Sequence, residues 1–215
     1  MTLEVEMIRT EHREEKWIFP FVEYAPTDKK GGLPLIIQLH GAGERGDGQE
    51  ALSLVDVHGF SKFIADKEIP CIFAMPQCPK GSFWAARVES IITFINQLIK
   101  EYDIDPNRVY LTGLSMGGYG TWFTAMARHD LFAAIAPICG GGMAWNAPVL
   151  KNTPIWAFHG ACDNSVSPTQ SDEMVAKLRS VGGNVKYTRM DGVGHNVWIH
   201  AYNQELLDWL LSHSK

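Results

Sequence analysis

Residues 108–121 read RVYLTGLSMGGYGT, and the reading of this stretch decides the fold of the rest. Residues 108–112 are short, β-branched and aromatic, the composition of a buried strand. They run into Gly113-Leu114-Ser115-Met116-Gly117, which fits G-x-S-x-G, and then into a helix expected over residues 116–128. A strand, a tight turn with glycines two residues to either side of a serine, and a helix together describe a nucleophile elbow. The glycines leave room for a strained backbone and for an approaching ligand. The five-residue motif alone is weak, and an ordinary Gly-rich strand-to-helix turn is the alternative. Its setting between strand and helix gives it weight.

Outward from that point the chain alternates strands and helices. Residues 3–10 and 17–24 read as two strands around the polar turn 11–15, a hairpin at the sheet edge, because Pro20 cannot donate to a ladder. Residues 35–39 (LIIQL) form a continuous apolar run, as expected of a central strand covered on both faces. A helix over 58–66, a strand over 71–75 and a loop over 76–84 follow. On that loop Phe83 and Trp84 either bury against the sheet or wall a ligand pocket. Residues 88–102 carry apolar side chains at helical spacing, a stripe that faces the sheet. Strands are then expected at 132–137, 154–159 and 184–190, with helices at 168–181 and 201–213. Trp156 reads as core. The sum is an α/β architecture, a mostly parallel central sheet with helices on both faces and an N-terminal antiparallel hairpin. No insertion is long enough for a large lid domain; the longest unassigned stretch is 140–153.

The 215 residues fit one domain, 1–215. A hydrophobic content of 46% and a charged content of 20% are those of an ordinary globular protein. The net charge of -5 gives no reason to expect nucleic acid or an anionic membrane as partner. No apolar run approaches bilayer length. The first residues hold Glu4, Glu6, Arg9 and Glu11 among the hydrophobics, unlike a signal peptide. Cys71, Cys78, Cys139 and Cys162 form no C-x-x-C pair and no zinc spacing, so they read as reduced thiols of a cytoplasmic protein. A secreted form with its leader trimmed is the alternative.

In a sheet of this kind ligands gather beyond the carboxyl ends of the strands. Residues 40–46, Ser115, Asp163 and His195 each follow such an end. A serine hydroxyl needs a base within hydrogen-bond reach, histidine suits because its reference pKa lies near 6.5, and a carboxylate must fix the imidazole tautomer. Among eight histidines, His195 alone follows a late strand in a Gly-flanked loop. Asp163 is the favoured acid; Asp191, four residues before His195, suits an Asx-turn, and Asp172 is expected on a solvent-facing helix. In the loop His40-Gly41-Ala42-Gly43-Glu44-Arg45-Gly46 the small residues let backbone N–H groups approach an oxyanion, Ala42 first and Gly43 next. The second donor is the residue after Ser115. His40 reads as structural, holding the loop. Glu44 and Arg45 read as paired with each other or with the loop, without a catalytic role.

Five stretches carry a family resemblance: LHGAGERG (39–46), PQCP (76–79) with the later Trp84, TGLSMGGYGTW (112–122), HGACDNSV (159–166) and GHNVW (194–198). With them the chain resembles the serine esterases of the α/β-hydrolase superfamily. It is most similar to the branch holding polyhydroxybutyrate-depolymerase-like esterases, dienelactone-hydrolase-like proteins and predicted peptidases. The resemblance implies hydrolysis of small or exposed carboxylic esters by a carboxylesterase with Ser115, Asp163 and His195 as catalytic triad. It implies Ala42 and Met116 as backbone donors of the oxyanion hole, and neither metal nor organic cofactor. Gly43, Trp84 and Trp198 are the candidate substrate-binding residues, with Trp145 left open. Ser115 stands where dienelactone hydrolases carry a cysteine, which speaks against that particular activity. The alternatives are a peptidase or thioesterase of the same fold, or a catalytically silent binding protein. The oligomeric state is not legible.

Overall fold

The computed structural model describes residues 7–65, 67 and 69–215. These residues form one eight-stranded sheet flanked by helices. The strands are β1 (Met7–His12), β2 (Phe21–Pro26), β3 (Leu33–Leu39), β4 (Ile72–Pro76), β5 (Ile104–Leu114), β6 (Ala134–Ile138), β7 (Ile155–Gly160) and β8 (Val185–Met190). Their order across the sheet is β1-β2-β4-β3-β5-β6-β7-β8. β1 and β2 run antiparallel to each other, β2 is antiparallel to β4, and every later pairing is parallel. The expected mostly parallel sheet with an N-terminal antiparallel hairpin is what forms.

The apolar run at 35–39 sits in the middle because both its faces are covered. Successive side chains of a strand point to opposite faces. Leu35, Ile37 and Leu39 join a core cluster with Ile91, Phe94, Leu98, Trp122 and Met174. These come from the helices α2 (Val88–Glu101), α3 (Met116–Ala127) and α4 (Thr169–Ser180). Ile36 points the other way, into a cluster with Phe60, Ile64, Leu206 and Leu210. That face is covered by α1 (Ser61–Ile64) and by α5 (Trp198–Ala201) and α6 (Gln204–Leu211). Each Leu, Ile or Phe side chain buried this way contributes on the order of 1.5–3 kcal/mol.

Several boundaries differ from the sequence reading, each for a local reason. Residues 3–6 of the expected first strand lie outside the described residues. The aromatic residues read as the start of the second strand are loop: Trp17 and Phe19 are buried against Phe94 as anchors of the turn. The ladder begins only after Pro20, at Phe21. Of the helix expected at 58–66 only Ser61–Ile64 is α-helical, because Gly59 adopts a φ of +98° and the Gln38 side chain binds His58 O and Phe60 N; Asp66 lies outside the described residues. The closing helix is broken in two, since the Asn203 side chain accepts the Leu206 N–H at 3.0 Å and caps a fresh helix. No helix among the described residues is long and apolar enough to cross a membrane.

Candidate active site

The carboxyl ends of β3, β5, β7 and β8 open onto one rim of the sheet. Ser115 follows β5 directly and adopts φ +53° and ψ −114°, an unusual conformation for a residue with a side chain. Such a residue stores roughly 1–3 kcal/mol and persists only where its surroundings enforce it. Here the Ser115 N–H donates to Ile138 O at 2.9 Å. The motif glycines are required by close approach: a Cβ on Gly117 would lie 2.0 Å from Leu39 O, and one on Gly113 2.4 Å from Gly117 O. The turn is thereby pressed against the end of β3, with its hydroxyl raised above the sheet.

Two remote side chains reach that hydroxyl in series. His195, in the loop after β8, has Nε2 2.9 Å from Ser115 Oγ and Nδ1 2.7 Å from Asp163 Oδ2. Asp163 is buried in the turn after β7, where its Oδ1 accepts the N–H groups of Ser165 at 2.8 Å and Val166 at 2.9 Å. Burial pushes its carboxyl up. The hydrogen bonds from His195 and from the two backbone N–H groups together outweigh that, and the group stays ionised below the usual carboxylate range. Asp163 Oδ2 also lies 3.3 Å from Nε2 of His159, which burial holds below its ordinary pKa. Asp191 is exposed in the loop after β8, and Asp172 on α4 accepts the Tyr187 hydroxyl at 2.7 Å.

The loop after β3 is held from beneath. The His40 ring is 2% exposed; its Nε2 accepts the Cys78 N–H at 2.9 Å and its Nδ1 lies 2.6 Å from Gly41 O. Burial pushes His40 down to about 4, so the ring is neutral near pH 7. Ala42 and Met116 each open a helical turn, Ala42–Glu44 and α3, where N–H groups have no intrahelical partner. Arg45 binds the loop through Ala42 O at 2.9 Å and Ser82 O at 3.2 Å rather than through Glu44. Glu44 lies 3.8 Å from both His40 and His58.

Trp84 corrects one expectation. It is fully buried in the core, and its Nε1 donates to His40 O at 3.0 Å, so it supports the loop instead of walling a pocket. Its neighbour Phe83, 54% exposed, takes the position at the site. Two openings flank Ser115. One, of about 510 Å³, is lined by Phe83, Ser115, Met116, Tyr119, Phe123 and Gln170 among others. The other, of about 240 Å³, is lined by Ala42, Gly43, Glu44, Ser115, His195 and Trp198 among others. The Trp198 ring stands edge-on to His195 with centroids 5.3 Å apart. Trp145 is 74% exposed and lines neither opening. Met116, Tyr119 and Phe123 recur at i, i+3 and i+7, a helical-face signal that the sequence does contain; Phe83 and Gln170 join them from loop and helix end without any such period.

One group of described side chains could offer a metal three donors within 4.8 Å of one another: Cys139, Asp163 and His195. Asp163 and His195 are already bonded to each other, and burial raises the Cys139 thiol well above its usual value, so it is a poor thiolate ligand. The four cysteines are free thiols, Cys162 exposed.

A solved thermostable esterase superposes with a TM-score of 0.80 at 33% identity, covering 98% of this chain and 64% of that one. The chain has the α/β-hydrolase fold. The chain also matches, at residues 85–145, the family model described as the prolyl oligopeptidase family. It is 28% identical over 160 residues to a bifunctional acetylxylan esterase/xylanase of Neocallimastix patriciarum, across 73% of this chain and 23% of that protein. It is 24% identical over 201 residues to a poly(3-hydroxyalkanoate) depolymerase C of Paucimonas lemoignei, across 75% of this chain and 48% of that protein. The chain thus resembles an esterase and a depolymerase, and it spans less than half the length of either curated relative.

Proposed function

We propose that this protein is a serine carboxylesterase that hydrolyses small or exposed carboxylic esters through an acyl-enzyme. The observation that carries the reading is the chain of two hydrogen bonds, 2.9 Å from Ser115 to His195 and 2.7 Å from His195 to Asp163. His195 takes the Ser115 proton as Oγ bonds to the ester carbonyl carbon. The N–H groups of Ala42 and Met116 hold the resulting oxyanion. The imidazolium, stabilised by the ionised Asp163, then gives its proton to the leaving alcohol as the carbon–oxygen bond breaks. A water, deprotonated by the same imidazole, releases the acid and restores Ser115. Neither step requires a metal or an organic cofactor. The esterases among its relatives support a small-molecule ester as substrate.

The test combines labelling with turnover. A fluorophosphonate should label Ser115 in the folded protein, and 4-nitrophenyl acetate should be hydrolysed; Ser115→Ala and His195→Ala should each lower kcat by up to roughly 10⁶-fold. Wild-type protein that is neither labelled nor active on an ester series would favour a silent binding protein. The match to the prolyl oligopeptidase family favours one further reading, cleavage of amides. Turnover of a chromogenic dipeptide amide without turnover of the matching ester would support it.

A further inference from the structure

The two openings beside Ser115 differ in one respect that fixes how an ester lies. His195 lines the 240 Å³ cleft but not the 510 Å³ cavity. In the reaction above the alcohol oxygen receives its proton from His195, so the alcohol leaves through the cleft. The acyl group, bonded to Ser115, extends the other way, into the larger cavity.

That cavity is built for more than an acetyl group. Met116, Tyr119 and Phe123 share one face of α3, and all three are only partly buried although the other residues of that helix up to Met126 are buried. Phe83 adds a third aromatic ring from the loop before the turn Trp84–Ala86, and it is 54% exposed. Large apolar side chains left open beside a nucleophile are accounted for by a ligand that covers them. A dry cavity of about 150 Å³ suffices for one benzene ring, against about 510 Å³ here. Aromatic rings prefer one another in offset and edge-on geometry beyond their area alone, a gain of several-fold to about tenfold in binding. Tyr119 and Gln170 line the same space, and each carries a group able to hydrogen-bond a polar ring substituent.

We propose that the cavity between Phe83, Met116, Tyr119 and Phe123 is an acyl pocket for a carboxylic acid bearing an aryl group. The proposal rests on the esterase reading. It is tested with kcat/KM for methyl 3-phenylpropanoate, methyl 3-cyclohexylpropanoate and methyl butyrate. The phenyl ester should exceed the butyrate by about tenfold or more and the cyclohexyl ester by several-fold. Phe123→Leu and Phe83→Ala should each shrink the phenyl-to-butyrate ratio to within about threefold; Phe83 is exposed, so its replacement leaves the core intact, and thermal melting checks both variants. An aryl group moved to the alcohol side, in 2-phenylethyl acetate, should gain nothing over ethyl acetate. Equal rates for phenyl and cyclohexyl esters, an undiminished ratio in both variants, or an equal gain on the alcohol side would overturn the aryl acyl pocket while leaving the esterase reading intact. No turnover of any ester, with Ser115 unlabelled, would overturn both.

Discussion

Acidification from pH 7 to pH 5 should weaken the fold by about 2 kcal/mol through His40 alone. The ring is 2% exposed, and its Nε2 accepts the Cys78 N–H, so the ring proton sits on Nδ1 and faces Gly41 O. A second proton would have to sit on Nε2, where the Cys78 N–H already points. Burial therefore pushes His40 down to about 4, against a reference near 6.5 in the unfolded chain. Between those values the unfolded chain binds more protons than the folded one, so stability is full above about pH 6.5 and is lost as the pH falls toward 4. Each unit of the difference corresponds to 1.36 kcal/mol, and integration from pH 7 to 5 gives about 2 kcal/mol. Denaturant unfolding at pH 7, 6 and 5 measures it. His40→Asn keeps an acceptor without the titration and should lose correspondingly less stability over the same interval. His159, also lowered by burial, titrates in the same sense in both proteins, so the difference between them isolates His40. Parallel pH dependences in the two proteins would refute the reasoning.

Asp163→Asn should lower kcat by about 10⁴-fold, because an amide in place of Oδ2 no longer holds the His195 Nδ1 proton; an unaffected rate would move the acid role to Asp191. Gly117→Ala should destabilise by about 1–3 kcal/mol or prevent folding, since its Cβ would meet the Leu39 carbonyl at 2.0 Å and backbone cannot step aside cheaply; an unchanged melting temperature would contradict that geometry. Trp84→Phe should cost about 1–3 kcal/mol by leaving His40 O unsatisfied in the core, and denaturant midpoints will register it. Stability unchanged by that substitution would mean that water replaces the indole donor.

The sequence by itself determined whatever depends on short-range repetition. Leu35, Ile37 and Leu39 must face one side and Ile36 the other, so a strand covered on both faces was legible at 35–39. The G-x-S-x-G spacing predicted a turn tight enough to exclude side chains, and the contacts of Gly113 and Gly117 give the reason. Ser115, Asp163 and His195 were legible as residues following strand ends, because a parallel sheet gathers such ends on one rim. Tertiary structure decided the rest. In the loop at 76–84 no period distinguishes Phe83 from Trp84; the buried His40 carbonyl, distant in sequence, draws the indole inward and leaves the phenyl ring at the site. Asp163 and Asp191 both follow a strand end, and only the buried turn after β7 carries its carboxylate to His195. The break before α6 depended on whether Asn203 would cap a helix or continue one. Periodicity assigns a side chain to a face of its own element; which remote group it meets across the fold is fixed only when the elements are packed.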